Sequence, residues 1–164
     1  MSVLVAYASK HGATAEIASA IVDRLRERGI EADARSVEGI DDPGEPRAVV
    51  LGSALYAGSW RKEAVEFAHR QAARIAGRPV WLFSSGPLGD HIEDEEEQPR
   101  ELAELTELLR PIEHRIFAGA LDRDALGFAE RMLVKAVKAP DGDFRDWSAI
   151  RAWSDEIAST LLGD

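Results

Sequence analysis

Short runs of apolar residues alternate along this chain with longer stretches that place an apolar residue at every third or fourth position. Continuous apolar runs are typical of strands buried on both faces, whereas the longer repeats are typical of amphipathic helices. The pattern predicts five strands, at residues 3–7, 30–37, 48–53, 79–83 and 116–121. It also predicts amphipathic helices, at residues 14–28, 61–76, 99–109 and 147–161, the last with Asp146 as its N-cap and Trp147 on its inner face.

Strands that alternate with helices build parallel βαβ units with right-handed crossovers. We therefore expect an α/β fold, a doubly wound five-stranded parallel sheet in the order 2-1-3-4-5 with helices on both faces. Neither a repeat nor a long linker interrupts the pattern, so we expect a single domain over residues 1–164. In such a sheet, ligands bind at the carboxyl ends of strands 1 and 3.

Charge and composition exclude several classes of function. The formal net charge of -10 argues against nucleic-acid binding through the overall field of the protein. No apolar run reaches about 18 residues, and the chain begins with a core strand, so we expect no transmembrane segment and no signal peptide. Cysteine is absent, and no histidines and carboxylates have metal-ligand spacing, so we expect no metal site. This composition favours a cytoplasmic protein, with a peripheral position at the membrane as the alternative.

The turn between the first strand and the first helix is suited to bind a phosphate group. The first N–H groups of a helix have no intrahelical partner, and the helix dipole adds partial positive charge there. Ser9 and Thr14 add hydroxyl donors, and Gly12 lets the backbone approach a ligand closely. The three-glycine dinucleotide fingerprint and the G-K-[ST] sequence of the Walker loop are both absent. The sequence therefore predicts a site for a phosphate monoester.

The spacing of residues around this turn resembles the flavodoxin family. The family places an aromatic, a hydroxyl, a small residue, a threonine, an alanine and an aliphatic residue where this chain has Tyr7, Ser9, Gly12, Thr14, Ala18 and Ile21. The resemblance implies a flavodoxin-like fold and one non-covalently bound FMN. The residues it implies around the FMN phosphate are Ser9, Lys10, His11, Gly12, Ala13 and Thr14.

Two further loops, after strands 3 and 4, are expected to flank the ring of the FMN. The first contains Tyr56 and Trp60, and a flat isoalloxazine gains free energy by stacking on an aromatic side chain. The alternative for either aromatic residue is packing against the helix that follows. The second loop offers small residues whose amides reach the pyrimidine edge of the ring. The residues implied here are Ala54, Leu55, Tyr56, Ala57, Gly58, Ser84, Ser85, Gly86, Pro87 and Leu88.

Over nearly its whole length the chain is similar to the small flavodoxin-type protoporphyrinogen oxidase family. Segments 52–58, 118–121, 131–135 and 146–147 carry this resemblance, together with a helical pattern at 122–138 that small electron carriers lack. The family oxidises protoporphyrinogen IX with FMN and passes the electrons to a membrane quinone. The resemblance implies an FMN-dependent oxidoreductase with a tetrapyrrole substrate and a quinone or redox protein as its partner.

An acidic segment at residues 90–97 favours a second interpretation. The oxidase family carries a long basic insertion at this place, whereas this chain has five carboxylates in succession from Glu93 to Glu97. Such a segment repels an anionic tetrapyrrole or an anionic membrane and suits docking on a basic redox protein. A flavodoxin-type electron-transfer protein is therefore the alternative. The segments that distinguish the two functions are 90–97 and 122–146.

Overall fold

The computed structural model describes residues 2–9, 12–56, 58–86, 99–117, 120–121, 142–143 and 145–163. The strands are β1 (Val3–Ala8), β2 (Ala32–Ser36), β3 (Ala48–Tyr56), β4 (Ser59–Trp60), β5 (Val80–Ser85), β6 (Glu113–Phe117), β7 (Ala120–Leu121) and β8 (Gly142–Asp143). The helices are α1 (Ala13–Glu27), α2 (Lys62–Ile75), α3 (Leu102–Leu109) and α4 (Trp147–Leu162), with a short 3-10 turn at Val37–Gly39.

Five parallel strands form the main sheet in the order β2-β1-β3-β5-β6. The short strand β4 pairs antiparallel with the end of β3 and lies off this path. Without β4 in the count, the order of the main strands is the predicted 2-1-3-4-5, so the predicted fold is confirmed. Strands β7 and β8 pair with each other in a separate two-stranded sheet.

Each face of the sheet has its own apolar core because side chains alternate along a strand. Val3, Val5 and Phe83 face one side and pack beneath α1 and α4. Leu4 and Leu82 face the other side and pack beneath α2 and α3. Burial on both faces explains why β1, β3 and β5 appear in the sequence as nearly continuous apolar runs.

Helices α1 and α4 are joined across their surface by a group of ion pairs. Arg24 donates from Nε to Asp155 Oδ1 at 2.8 Å, and Arg28 donates from Nη1 to the same oxygen at 3.0 Å. The bond from Arg24 lowers the pKa of the Asp155 carboxyl, and the bond from Arg28 acts in the same direction. Asp146 caps α4 as predicted, because its side chain accepts a hydrogen bond from Ala149 N at 3.1 Å.

Three local predictions differ from the structure. Strand β3 continues to Tyr56 instead of ending at residue 53, and its end pairs antiparallel with β4. The last strand of the main sheet lies at Glu113–Phe117, three residues earlier than predicted, and Ala120–Leu121 belongs to the separate sheet. Trp147 is 43% exposed and does not belong to the inner face of α4. The predicted helix at 122–138 lies outside the described residues.

Candidate functional site

The carboxyl ends of β1, β3 and β5 meet at one edge of the sheet. Ala8 lies opposite Ser53 in the register of the sheet, and Ser53 lies opposite Ser84. A Cβ added to Gly86 would stand 3.8 Å from the carbonyl oxygen of Leu55. Gly86, the first residue after β5, therefore lies directly beside the end of β3.

The backbone N–H groups of the first turn of α1 have no side-chain hydrogen-bond acceptor among the described residues. Gly12 is the N-cap residue, adopts a left-handed conformation with φ of 89°, and provides no side-chain cap. The Ser9 hydroxyl accepts a hydrogen bond from Gly12 N at 3.0 Å, which folds the turn back upon itself. The space on the Cβ side of Gly12 is open among the described residues, because an added Cβ would meet nothing within 4 Å. Uncapped amides facing open space suit an anion such as a phosphate.

Arg145 brings a buried cation to this end of α1. Its side chain is 9% exposed and forms an ion pair with Glu16 in the first turn of the helix. The guanidinium also donates to the Ala13 carbonyl oxygen at 3.5 Å and stacks 4.7 Å from the ring centre of Trp147. Sequence reasoning missed Arg145, since it precedes α4 and lies 132 positions from Ala13 along the chain.

Tyr56 ends β3 with a hydroxyl that lacks a partner. The Tyr56 oxygen is buried and has no hydrogen-bond partner among the described residues. Burial raises the pKa of the Tyr56 hydroxyl, although the nearby charge of Arg61 acts in the opposite direction. A buried hydroxyl without a partner is costly, so this atom is a candidate to bond with a ligand.

Trp60 packs inward, which is the alternative that the sequence left open for this residue. Its indole is 4% exposed and donates from Nε1 to Ser84 Oγ at 2.7 Å. Its backbone N–H donates to Glu101 Oε1 at 2.9 Å, which ties the hairpin of β3 and β4 to the start of α3. Trp60 therefore supports the edge of the site from below and does not offer a stacking surface.

His114 is half-buried and contacts the same group of side chains. Ser84 Oγ lies 2.8 Å from His114 Nε2. Burial lowers the pKa of the His114 imidazole to about 4, even though the carboxylate of Glu113 acts to raise it. The imidazole is therefore neutral at pH 7. Its position on an edge strand rich in polar residues gave no signal of this partnership in the sequence.

Comparison with known proteins identifies the family. A family model described as "Flavodoxin domain" matches residues 4–148, most of the chain. The chain belongs to the flavodoxin-domain family. The cofactor of this flavoprotein is accordingly FMN, as the phosphate turn predicted. A relative in Escherichia coli K12, "Protoporphyrinogen IX dehydrogenase [quinone]", is 26% identical and aligns over 96% of this chain and 95% of its own length.

Solved structures of flavodoxins share the fold. A flavodoxin from Streptococcus pneumonia TIGR4 superposes with a TM-score of 0.65 at 15% identity and covers 98% of this chain and 99% of its own. A flavodoxin from the domain Archaea gives a TM-score of 0.64 at 16% identity, with 99% of each chain covered. At these identities the likeness is one of fold. Within the described part of this flavodoxin-domain chain, no helix is long and apolar enough to cross a membrane.

The predicted site residues of the flavodoxin-domain chain fall into three groups. Those at the phosphate turn are partly accessible, except Thr14, which is buried. Those at the end of β3 are half-buried, whereas Ser84, Ser85 and Gly86 are buried, and the Gly86 N–H already donates to Phe117 O. Five predicted residues lie outside the described part of the chain: Lys10, His11, Ala57, Pro87 and Leu88.

Proposed function

We propose that this protein oxidises protoporphyrinogen IX with FMN and delivers the electrons to a quinone. The alignment with the E. coli dehydrogenase carries this proposal, because it spans 96% of this chain and includes the region beyond β6. The alignment thus covers nearly the whole of both chains and not a single shared motif. Bound FMN supplies the redox chemistry, accepting electrons from one partner and passing them to another.

The residues of the chain would bind and orient the cofactor. In this proposal the amides at the start of α1, with Ser9 and Thr14, bind the phosphate. The uncapped amides and the open space at Gly12 fit a phosphate dianion. Tyr56 and the backbone of Ser85 and Gly86 flank the ring, and the Tyr56 hydroxyl, which has no hydrogen-bond partner among the described residues, fits a polar ligand atom. The remaining predicted contacts come from Lys10, His11, Ala13, Ala54, Leu55, Ala57, Gly58, Ser84, Pro87 and Leu88.

A flavin titration tests the phosphate site. Thr14→Ala should raise the Kd for FMN roughly tenfold, about 1–2 kcal/mol, because a hydrogen bond to a charged group is lost. The Kd for riboflavin, which lacks the phosphate, should not change. Thr160→Ala is the matched control, since this threonine bonds only the Glu156 carbonyl within α4 at the far end of that helix. Unchanged FMN affinity in Thr14→Ala would remove Thr14 from the site.

The acidic surface favours electron transfer to a basic protein as a second candidate function. The net charge of -10 would attract a positively charged redox partner to the protein. An anaerobic experiment distinguishes the two functions. Protoporphyrinogen IX should bleach the bound FMN, and menaquinone should restore its colour, if the protein is the oxidase. Absence of bleaching, together with rapid electron exchange with a flavodoxin reductase, would establish the carrier instead.

A further inference from the structure

Two buried side chains, Trp60 and Ser84, and the half-buried His114 form a hydrogen-bonded chain beside the proposed ring site. Trp60 Nε1 lies 2.7 Å from Ser84 Oγ, and Ser84 Oγ lies 2.8 Å from His114 Nε2. Ser84 is fully buried, and the three residues belong to β4, β5 and β6. These hydrogen bonds therefore run across the edge of the sheet that carries the loops after β3 and β5.

The indole N–H of Trp60 sets the direction of the first of these two bonds. An indole N–H is only a donor, so Trp60 donates to Ser84 and occupies a lone pair of its oxygen. The hydroxyl proton of Ser84 is then free to donate to His114 Nε2. Nε2 accepts only when the imidazole is neutral and carries its proton on Nδ1, and burial keeps the ring neutral at pH 7.

The hydrogen bonds between Trp60, Ser84 and His114 connect the strands that carry the two walls of the proposed FMN ring site. Trp60 ends the hairpin that begins at Tyr56, and its backbone N–H is bonded to Glu101. Ser84 precedes the loop of Ser85 and Gly86, whose N–H donates to Phe117 O at 2.8 Å on β6. A shift at Ser84 would therefore move both walls of the site together.

We propose that His114 is a positioning residue for the FMN ring, acting as the final acceptor of the Trp60–Ser84–His114 chain. This inference rests on the proposed function, since it assigns the ring of FMN to the loops after β3 and β5. Without the acceptor, the buried Ser84 hydroxyl proton loses its partner, and a change of the Ser84 rotamer that supplies another would carry its oxygen away from the Trp60 indole. The hairpin that carries Tyr56 then loses its fixed position.

The test compares two substitutions of His114 that differ in one property. His114→Gln keeps an acceptor oxygen near the place of Nε2, whereas His114→Leu removes it. In His114→Leu the Kd values for FMN and riboflavin should rise by the same factor, roughly fivefold to tenfold, because the ring is affected and the phosphate is not. The Trp60 indole proton should exchange faster with solvent and change its NMR shift. Both quantities should return toward wild-type values in His114→Gln.

A second indole provides the control. Trp153 donates from Nε1 to Glu113 Oε1 at 2.7 Å on the opposite face of β6. Trp153→Phe removes a comparable bond to the neighbouring residue of the same strand and should leave riboflavin affinity unchanged. Equal losses of affinity in Trp153→Phe and His114→Leu would overturn the proposal, since both would then report general destabilisation. Unchanged affinity in His114→Leu would overturn it as well.

NMR of the wild-type protein without FMN tests the hydrogen bonds independently of flavin binding. The nitrogen shifts of His114 at neutral pH should show a protonated Nδ1 and an unprotonated Nε2. A proton on Nε2 would overturn the direction of the chain. If His114→Leu does not fold, Ser84→Ala supplies the same flavin and exchange measurements, with the same expected losses. Wild-type protein that binds no FMN would overturn the proposed function, while the nitrogen shifts would still decide the hydrogen-bond chain.

Discussion

The ring of Phe83 lies directly against Gly52, its neighbour across β3 and β5. A Cβ added to Gly52 would stand 2.1 Å from two atoms of the Phe83 ring, far inside contact distance. The ring is also held on its other sides, with ring centres 6.3 Å from Phe117 and 6.2 Å from Trp153. The absence of a side chain at residue 52 thus allows an aromatic cluster to pack next to the ligand edge of the sheet.

Gly52→Ala should lower the free energy of unfolding by about 3 kcal/mol, because the buried Phe83 ring has no free space into which to move. Urea denaturation followed by fluorescence measures this change. Gly39→Ala is the control, since its φ is not positive and an added Cβ there would meet nothing within 4 Å. Equal stability of the two variants would show that the cluster adapts to the extra methyl group.

The parts of the fold predicted from the sequence are those whose signals are local. The strand, turn and helix around Gly12 are encoded by adjacent residues, as is the N-cap at Asp146. The predicted start of β6 is three residues too late because the charged residues Glu113 and Arg115 give its first half the polar pattern of a loop. These residues occur in a strand because β6 is at the edge of the sheet, where Arg115 pairs with Glu156 and Glu113 accepts from Trp153.

Contacts between distant segments explain what the sequence did not reveal about the site. Trp147 was expected to be buried, but the guanidinium of Arg145 covers its ring and the rest of the side chain is exposed. The role of Ser84 depends on Trp60 and His114, which are 24 and 30 positions away. The pairing of the strands brings these three residues together, so their hydrogen bonds cannot be read from the sequence alone.

Arg145 should strengthen the binding of FMN through its charge. The guanidinium is buried beside the first turn of α1, whereas its partner Glu16 is 64% exposed and screened by solvent. The cation should therefore act on a phosphate dianion more strongly than the carboxylate opposes it. Arg145→Gln should raise the Kd for FMN severalfold, about 1 kcal/mol, and leave the Kd for riboflavin unchanged.

Arg151→Gln provides the control for this effect in the same titration. Arg151 lies on α4, the helix that Arg145 precedes, and pairs with Glu27 at 3.4 Å, at the end of α1 that is remote from the phosphate turn. Its removal should change neither Kd. If Arg145→Gln weakens FMN and riboflavin equally, Arg145 acts on the docking of α4 and not on the phosphate. Raising the salt concentration should reduce the difference between wild type and Arg145→Gln.

His114 should make the protein less stable as the pH falls from about 7 to about 5. Burial lowers the pKa of its imidazole from 6.5 to about 4. The unfolded chain takes up this proton first, so between these two values the unfolded state binds more protons and the free energy of unfolding decreases as the pH decreases. The expected loss is about 2 kcal/mol, measured by urea denaturation across this range. His114→Gln should lose that part of the pH dependence.

Asp155 does not interfere with this measurement, because its pKa is lowered from 3.8 and its contribution is lost only in stronger acid. Equal pH profiles for wild type and His114→Gln would show that the imidazole ionises within the folded protein as it does in water.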